Sequence, residues 1–464
     1  MDETDLNRWR TAAAHKLDDQ RARAARYQTY YDGEETLHVL FGGEERRIFG
    51  KFLDESRANW CELVANAAAE RLTVTGFRFD GEGGDDAWDI WQASHMDADH
   101  KLAQLDALVT GSSCVLVQPD DDNPTGVSIS VESPLEACVL HEPGNRRRRA
   151  AGYKRFGDLP GEGNAVTEVL ILPDVIATWY PNATRPEQAP NPAGEVGMIE
   201  IIPQPRTVGP PRSELHSCIS IQDRINLTVF NRLVTGDYTA FQRVWATGIK
   251  VAREIVKSAD GTETTKGVRP FDLGVNRLLV NENPEGRFGI FPEATLEGYL
   301  KSVDQDVNQL AAITQTPSYY FHELVNLSAD AITASEAGLV AKCKLRALYL
   351  GEDWEEVVRL ALRLTGNPAG ADVGAEVIWA DVEIRSLAQL VDALVKLGSP
   401  PLNVPRRVLW ERYGATLQEV ERWETLAATE QANAAATAAT AFGAPDGAYA
   451  RLLAAAGAGA NGSS

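Results

Sequence analysis

The feature that most constrains this chain is a change of sequence pattern at Ser213. Before it, short β-branched segments alternate with turn residues, which is typical of antiparallel strands. After it, apolar residues recur at helical spacing through about Thr247, which predicts one helix of roughly 50 Å. A second long helix is predicted at about residues 331–364. We therefore expect an α+β protein with more than one domain.

The first two hundred residues are predicted to mix helices and strands. Helices are expected at about 4–31, 53–71 and 88–109, with a loop over 32–50 and a strand at 73–79. Short strands are then expected at 113–118, 127–132, 137–141, 150–156, 166–172, 175–180 and 198–202. Proline clusters from Pro181 to Pro211, which predicts a loop or extended linker.

The rest of the chain is predicted to be mainly helical outside one insert. Residues 248–292 are rich in turn residues, with strand candidates at 249–255 and 277–280. A helix at 294–314 is interrupted at Pro317, and the low-complexity residues 428–464 are expected to form a mobile tail. A strand is predicted at 376–384, and further helices at 386–397, at 403–412 and from about 416.

The charge distribution excludes some classes of function. With 66 acidic and 45 basic residues, the net charge is -21. A nucleic-acid binder with a broadly basic surface is therefore excluded, because such binding needs Lys and Arg to neutralise phosphates. Residues 78–140 alone hold 13 acids and two bases. No apolar run approaches the length of a transmembrane helix, so we expect no membrane contact.

Motifs that carry catalysis or bind cofactors are absent from the sequence. Gly50-Lys51 is followed by Phe52, so there is no P-loop, and the dinucleotide, nucleophile-elbow and zinc-protease motifs are also missing. His95 and His100 lie about 140° apart on a helix, which favours a solvated acidic face over a metal site. We expect no enzyme activity, cofactor or metal.

The five cysteines are odd in number and widely spaced, which argues against a disulfide scaffold and a thiolate zinc site. Cys114 follows a Gly-Ser-Ser sequence that resembles a nucleophile turn. It also begins an apolar strand and has no nearby histidine, so a buried core cysteine is the favoured interpretation.

Two clusters are candidates for contacts with a partner. The arginine run from Arg146 to Arg149 lies between predicted strands, where it could bind phosphate or an acidic partner. The alternative is an exposed hairpin turn that balances the acidic block. The aromatic residues Tyr319, Tyr320 and Phe321 follow the helix break, where they could form a functional surface or subunit core.

The order of elements resembles the portal proteins of tailed bacteriophages, in the version typical of siphophages with Gram-positive hosts. The order is an acidic α/β block, a long helix, a compact insert, a second helix, a break and a longer helix. The resemblance covers about residues 1–425. Its local matches are at residues 215–245 with Asp223, Asn226 and Asp237, at 291–296, 310–316 and 327–339, and at 377–381 with Arg385 and Asp392.

This resemblance implies an α+β fold: a mixed α/β wing with antiparallel strands, long stem helices, a small clip insert, a long tunnel-crossing helix and a helical crown. The implied divisions are a wing at 1–212, a first stem helix at 213–247, a clip at 248–292, a second stem helix at 293–316, a tunnel loop at 317–330, a long helix at 331–366, a C-terminal strand and crown helices at 367–427, and a low-complexity tail at 428–464.

The resemblance also implies a function without catalysis. It implies a ring of about twelve copies at one capsid vertex, in the virion and in the host cytoplasm during assembly. Double-stranded DNA would pass through the ring without sequence specificity. Implied partners are the terminase large subunit, the major capsid and scaffolding proteins, and a head-completion (adaptor) protein.

For the tunnel loop, the resemblance gives specific expectations. We expect Tyr319, Tyr320 and Phe321 to anchor the loop. The side chains expected to touch the DNA backbone are His322, Glu323, Asn326 and Ser328.

Two other classes of function remain open at this stage. One is a multidomain cytosolic enzyme whose catalytic pair is scattered along the sequence. The other is a different head component, such as a capsid or adaptor subunit. A ring with a central hole distinguishes the portal from both, whereas a compact monomer with hydrolytic activity indicates the enzyme.

Overall fold

The described part of the chain divides into two compact units. The computed structural model describes residues 2–35, 43–79, 83–157, 166–181, 183, 185–240, 244–247, 253–257, 263–267, 285–290, 295–321, 329–383, 387–415 and 417–441. The first unit comprises 1–35, 59–220 and 309–464, and the second comprises 36–58 and 221–308.

Helices and antiparallel strands are both abundant, which confirms the α+β class. The α-helices in the described residues are α1 (Glu3–Tyr31), α2 (Gly43–Glu55), α3 (Trp60–Ala69), α4 (Gly84–Ala93), α5 (Met96–Thr110), α6 (Ile219–Ala240), α7 (Glu297–Thr314), α8 (Ala329–Leu364), α9 (Leu387–Gly398), α10 (Arg406–Tyr413) and α11 (Leu417–Ala441). Short 3-10 helices lie at Glu214–Ser217, Ser318–Tyr320 and Pro368–Ala371.

The strands in the described part of the chain form five antiparallel sheets. They are β1 (Val74–Arg78), β2 (Ser113–Pro119), β3 (Val127–Glu132), β4 (Ala137–Glu142), β5 (Asn145–Gly157), β6 (Val166–Ile171), β7 (Val175–Trp179), β8 (Glu187–Pro190), β9 (Met198–Ile201), β10 (Val244–Thr247), β11 (Arg253–Lys257), β12 (Glu263–Gly267), β13 (Arg287–Ile290) and β14 (Glu376–Trp379). In the first unit the strand orders are β3-β2-β9, β4-β5-β6-β7-β8 and β1-β14.

The largest core of the first unit forms around α8. This helix was predicted at about residues 331–364, and the side chains that recur along one face of it are fully buried: Leu339, Cys343, Leu350, Trp354, Val357 and Ala361. The Trp354 ring meets Trp91 of α4 edge-on at 5.2 Å between ring centroids. Trp91 in turn contacts Phe77 of β1 at the same distance. This aromatic cluster joins α8 to the N-terminal elements.

A second core lies between α1 and the five-stranded sheet. Leu6 and Leu17 of α1 are fully buried in the same apolar cluster as Tyr153. At the border of this cluster, Arg10 binds both carboxylate oxygens of Glu168 at 2.6 Å. The Tyr153 hydroxyl donates to the same carboxylate. These hydrogen bonds from Arg10 and Tyr153 to the Glu168 carboxylate fix the position of α1 on the sheet.

The second unit contains α2, most of α6, the first part of α7 and two pairs of antiparallel strands. The Nε of Arg224 on α6 donates to Asp306 on α7 at 2.9 Å. Strand β10 pairs with β13, and β11 pairs with β12. Of the strand candidates in the insert, residues 253–257 are a strand, and 277–280 lie outside the described residues.

Two predicted helices of the N-terminal region are each divided. The helix predicted at 53–71 is α2 and α3, because Asn59 caps α3 through its side chain, which accepts from Glu62 N. Since α2 begins at Gly43, the predicted loop at 32–50 is wrong in its second half. The helix predicted at 88–109 breaks at His95, whose φ of 57° is left-handed.

Further corrections concern strands and the tail. The helix predicted through Thr247 ends at Ala240, and residues 244–247 form β10, because this β-branched segment finds a strand partner 40 residues further on. Strand β8 lies in the stretch predicted as loop, since its backbone completes the edge of the sheet beside β7. Helix α11 continues to Ala441, so the predicted tail is helical over its first part.

Gly197, directly before β9, lies very close to β2. A substitution at Gly197 therefore tests how tightly this segment packs. Gly197 O accepts from Val117 N at 2.9 Å, and a Cβ at Gly197 would collide with the Val117 carbonyl oxygen. We expect Gly197→Ala to destabilise the first unit by about 1–3 kcal/mol. Urea unfolding followed by tryptophan fluorescence measures this loss.

Gly298 on α7 is the matched control, since a Cβ there meets nothing within 4 Å. We expect Gly298→Ala to leave stability unchanged or to raise it by up to about 1 kcal/mol. Equal unfolding midpoints for the two variants would contradict the close packing of β9 on β2.

Candidate functional site

The aromatic residues Tyr319, Tyr320 and Phe321 directly precede a segment that the structure leaves undescribed. The predicted DNA-contacting residues His322, Glu323, Asn326 and Ser328 all lie outside the described residues. The aromatic residues themselves are described, and the contacts that they make can be stated.

The aromatic segment is tied to buried groups of the first unit. The Tyr319 hydroxyl donates to Oε1 of Glu336 on α8. The Tyr320 hydroxyl accepts from Nη2 of Arg71 at 3.1 Å. The Phe321 ring is 9% exposed and lies 5.4 Å from the ring centroid of Trp60 on α3. Each of the three aromatic side chains therefore has its own partner.

A buried ion pair lies at the centre of these contacts. Arg71 and Glu336 are 3.0 Å apart, and their side chains are only 7% and 5% exposed. Arg71 also donates to the Val382 carbonyl at 3.2 Å. Burial alone would lower the pKa of Arg71, but Tyr320 and Glu336 outweigh it and raise that pKa, so the guanidinium stays charged.

The tyrosine beside this pair keeps its proton. Burial raises the pKa of Tyr319, and the neighbouring Glu336 carboxylate raises it further. The phenol therefore remains a hydrogen-bond donor to the carboxylate at neutral pH. The charged arginine, the carboxylate and the phenol form one connected polar network.

The arginine run lies in a strand rather than in a turn. Strand β5 begins at Asn145, and the turn before it contains Gly144 with φ 84°. The hairpin-turn interpretation is therefore wrong in its position, because Pro143-Gly144 supplies the turn and the arginines lie in β5, where Arg149 pairs with His141.

Three of the four arginines are neutralised within the subunit. Arg147 pairs with Glu352 at 3.2 Å, and Arg148 pairs with Glu142 at the same distance. Arg149 contacts both Glu195 and Glu356, which also bind Arg363 of α8. Arg146 is exposed and has no carboxylate within ion-pair distance among the described residues.

Two adjoining clefts border this run. The larger, about 590 Å³, is lined by all four arginines and by the carboxylates that pair with Arg147 and Arg149. It also contains Asp353, whose pKa is raised by burial and whose carboxylate accepts from Ile202 N at 2.7 Å. The smaller, about 300 Å³, is lined by Lys16, Arg23, Arg146 and Arg206. Sequence reasoning missed the second cleft because its basic residues come from three distant segments.

The candidate metal and nucleophile residues have structural places. His95 is exposed, but His100 is buried rather than solvated: its Nδ1 lies 2.7 Å from Met96 O, and burial lowers its pKa to about 4. Cys114 is fully buried, and burial raises the pKa of its thiol. The core interpretation of Cys114 is confirmed.

The described residues contain neither a metal-binding cluster nor a membrane-spanning helix. They hold no group of three or more His, Cys, Asp or Glu that could bind a metal. Within the same part of the chain, no helix is both long and apolar enough to cross a membrane.

The buried ion pair gives a prediction about stability. Removing the carboxylate with Glu336→Ala leaves the Arg71 charge buried without its partner, so we expect a loss of about 3–5 kcal/mol. In Arg71→Met combined with Glu336→Leu, neither charge remains, and we expect most of that loss to be recovered. Urea unfolding of the purified variants measures both changes.

Glu297→Ala is the control, because Glu297 pairs with Lys301 on the surface, with both side chains more than 70% exposed. Its effect should not exceed about 0.5 kcal/mol. A Glu336→Ala protein as stable as this control would show that the buried pair does not hold the aromatic segment in place.

Comparisons with known proteins agree with the order of elements. The family described as "Phage portal protein, SPP1 Gp6-like" matches residues 12–433. The portal protein of Mycobacterium phage D29 is 27% identical over 430 residues, which cover 88% of this chain and 86% of that protein. The portal protein of Mycobacterium phage L5 is 26% identical over 416 residues, covering 85% and 84%. The chain therefore belongs to the SPP1 Gp6-like family of phage portal proteins.

Proposed function

We propose that this chain is the structural subunit of a ring at one capsid vertex, through which double-stranded DNA is packaged and ejected. The observation that carries the proposal is the family match, which spans nearly the whole chain. In this role the protein is a component of the virion and assembles in the host cytoplasm. The match does not favour the two alternatives considered from the sequence, a cytosolic enzyme and another head component.

The charge of the chain suits a channel that DNA must pass without sticking. A ring of about twelve copies would carry a formal charge of about -250, given -21 for each chain. A mainly negative channel repels phosphates, because tight binding would require counterion release at Lys and Arg. Contacts with the backbone in such a channel are weak and independent of base sequence.

The proposed divisions of the subunit follow the order of its elements. Residues 1–212 form the wing, 213–247 and 293–316 the two stem segments, and 248–292 the clip. The ion pair between Arg224 and Asp306 supports the two stem helices as neighbours.

The remaining divisions are the tunnel loop at 317–330, the long helix at 331–366, the crown region at 367–427 and the tail at 428–464. Tyr319, Tyr320 and Phe321 would anchor the tunnel loop. Their contacts with Arg71, Glu336 and Trp60 support this role, because they fix the chain immediately before residue 322.

Proposed partners follow from these divisions. The clip holds seven basic and six acidic residues, and this near-neutral charge suits successive docking of the terminase large subunit and a head-completion protein. The major capsid and scaffolding proteins would contact the ring at the capsid vertex.

The proposal predicts a closed ring-shaped oligomer. Native mass spectrometry and negative-stain imaging of the purified full chain should show one closed assembly with a central hole. A ring is expected because subunits joined head to tail by rotation close on themselves. If only monomers were found at micromolar concentration and physiological salt, the proposal would be wrong.

The tunnel loop predicts a separate effect on packaging. We expect His322→Ala combined with Asn326→Ala to leave ring assembly normal and to cause a severalfold loss of DNA-filled heads, because two contacts with the DNA backbone are removed. Counting filled and empty heads by electron microscopy measures the loss.

A matched control changes the same residue types on exposed helices, as His15→Ala with Asn433→Ala. This control should package normally. Normal packaging by the loop variant as well would exclude His322 and Asn326 from the DNA contact.

A further inference from the structure

Four exposed arginines of the first unit have no ion-pair partner among the described residues and come together in the fold. We call them the arginine cluster, and they are Arg23, Arg26, Arg146 and Arg206. Among the described residues, no carboxylate lies within ion-pair distance of any of them. They come from α1, from β5 and from the segment after β9, so that the fold and not the sequence brings them to one surface.

Three members of the arginine cluster line a cleft that is rich in basic residues. Arg23, Arg146 and Arg206 line the cleft of about 300 Å³ together with Lys16. Its lining carboxylate, Glu200, has an 8% exposed side chain and lies 3.9 Å from Lys16. Burial lowers the pKa of nearby His216, and the charges of Arg212, Arg206 and Arg26 lower it further. The described lining of the cleft thus holds four Lys or Arg side chains and one carboxylate.

A second exposed set has the opposite charge. We call it the acidic cluster, and its members are Asp85, Asp89, Asp97, Asp121 and Asp122. None of them forms an ion pair with a described residue. The set lies on α4, at the start of α5 and in the turn between β2 and β3.

Hydrogen bonds hold together the segments that carry the acidic cluster. Asn123 of the turn donates to the Ala93 carbonyl at the end of α4 at 3.4 Å. Ser94 Oγ accepts from Ile129 N of β3 at 3.2 Å. The turn itself is closed by Asp120 N donating to Gly126 O at 3.1 Å. Asp121 and Asp122 are thus presented at the tip of an ordered turn.

The two clusters are connected to the two edge strands of one sheet. The strand order is β3-β2-β9, so β2 separates the strand beside the acidic turn from the strand that leads to Arg206. A ring requires two different, complementary surfaces on each subunit, because its interfaces are heterologous. A subunit whose acidic turn leads into one edge strand, and whose Arg206 follows the other, offers two different surfaces of opposite charge.

We propose that the arginine cluster of one subunit binds the acidic cluster of the next subunit in the ring. This inference rests on the proposed function and adds the surfaces that join the subunits. A second copy is the occupant that the charges favour, since each copy supplies both an unpaired basic cleft and an unpaired acidic turn. Guanidinium groups also match carboxylates in geometry and can bind both oxygens.

A charge-swap experiment on the full chain tests the pairing. One variant is Arg146→Glu with Arg206→Glu, a second is Asp121→Lys with Asp122→Lys, and a third combines all four changes. Mass photometry over a range of concentrations gives the concentration at which half of the subunits are in rings. All changed residues are exposed, and thermal unfolding of each variant confirms that it is folded.

Each two-residue variant should require a concentration higher by about tenfold or more, because like charges would then face each other across the interface. The four-residue variant should return to within about threefold of the wild type. The matched control, Arg8→Glu with Arg422→Glu, makes the same change in net charge at exposed sites elsewhere and should assemble as the wild type does.

The outcomes separate this inference from the proposed function. A wild type that never forms rings overturns both. If wild-type rings form and the arginine variant assembles equally well, the pairing is wrong and the portal function stands. The pairing is also wrong if the four-residue variant stays as weak as the two-residue variants. Normal rings with lost terminase docking or DNA packaging would instead assign the arginine cluster to another partner.

Discussion

The first unit depends on the burial of one face of α8. Seven apolar side chains of this helix, from Leu339 to Ala361, are completely buried, and they share one core with α3, α4, α5 and the three-stranded sheet. A helix of 36 residues returns the same face to the core every three or four residues. Elements that lie far earlier in the sequence therefore pack against this one helix.

Ion pairs fix the position of α8 against these earlier elements. Glu336 meets Arg71, Arg346 meets Glu214 at 2.6 Å, and Arg363 meets Glu195. Burial alone would raise the pKa of Glu214, but the nearby Lys342 and Arg346 outweigh it and lower that pKa. Because a buried charge that loses its partner costs several kcal/mol, a shifted helix would be strongly disfavoured. The first of these pairs also holds the aromatic residues that precede residue 322, so stability and the proposed tunnel loop share one network.

The pairing of charges also matters on the surface of the subunit. An acidic chain suits a channel for DNA, yet three exposed arginines of the first unit, Arg23, Arg146 and Arg206, line one cleft. Three arginines of the β5 run are neutralised by Glu142, Glu352 and the pair Glu195–Glu356. Arg146, the fourth arginine of the run, has no ion-pair partner among the described residues, so that a neighbouring copy can bind it. A charge that is balanced only between subunits favours the assembly over the isolated chain.

Local pattern alone predicted much of the fold, whereas the sites needed the tertiary structure. The periodicity of α8 and the alternation of β2 to β7 and β9 are visible in the sequence because helix and strand repeats depend on neighbouring residues. The pairing of β1 with β14, of β10 with β13 and of Arg71 with Glu336 joins residues far apart in the chain. No local repeat encodes such contacts, since they arise only when the core brings the segments together. The sequence thus determined the elements and the family resemblance, and the packing around α8 decided which charges are buried, paired or exposed.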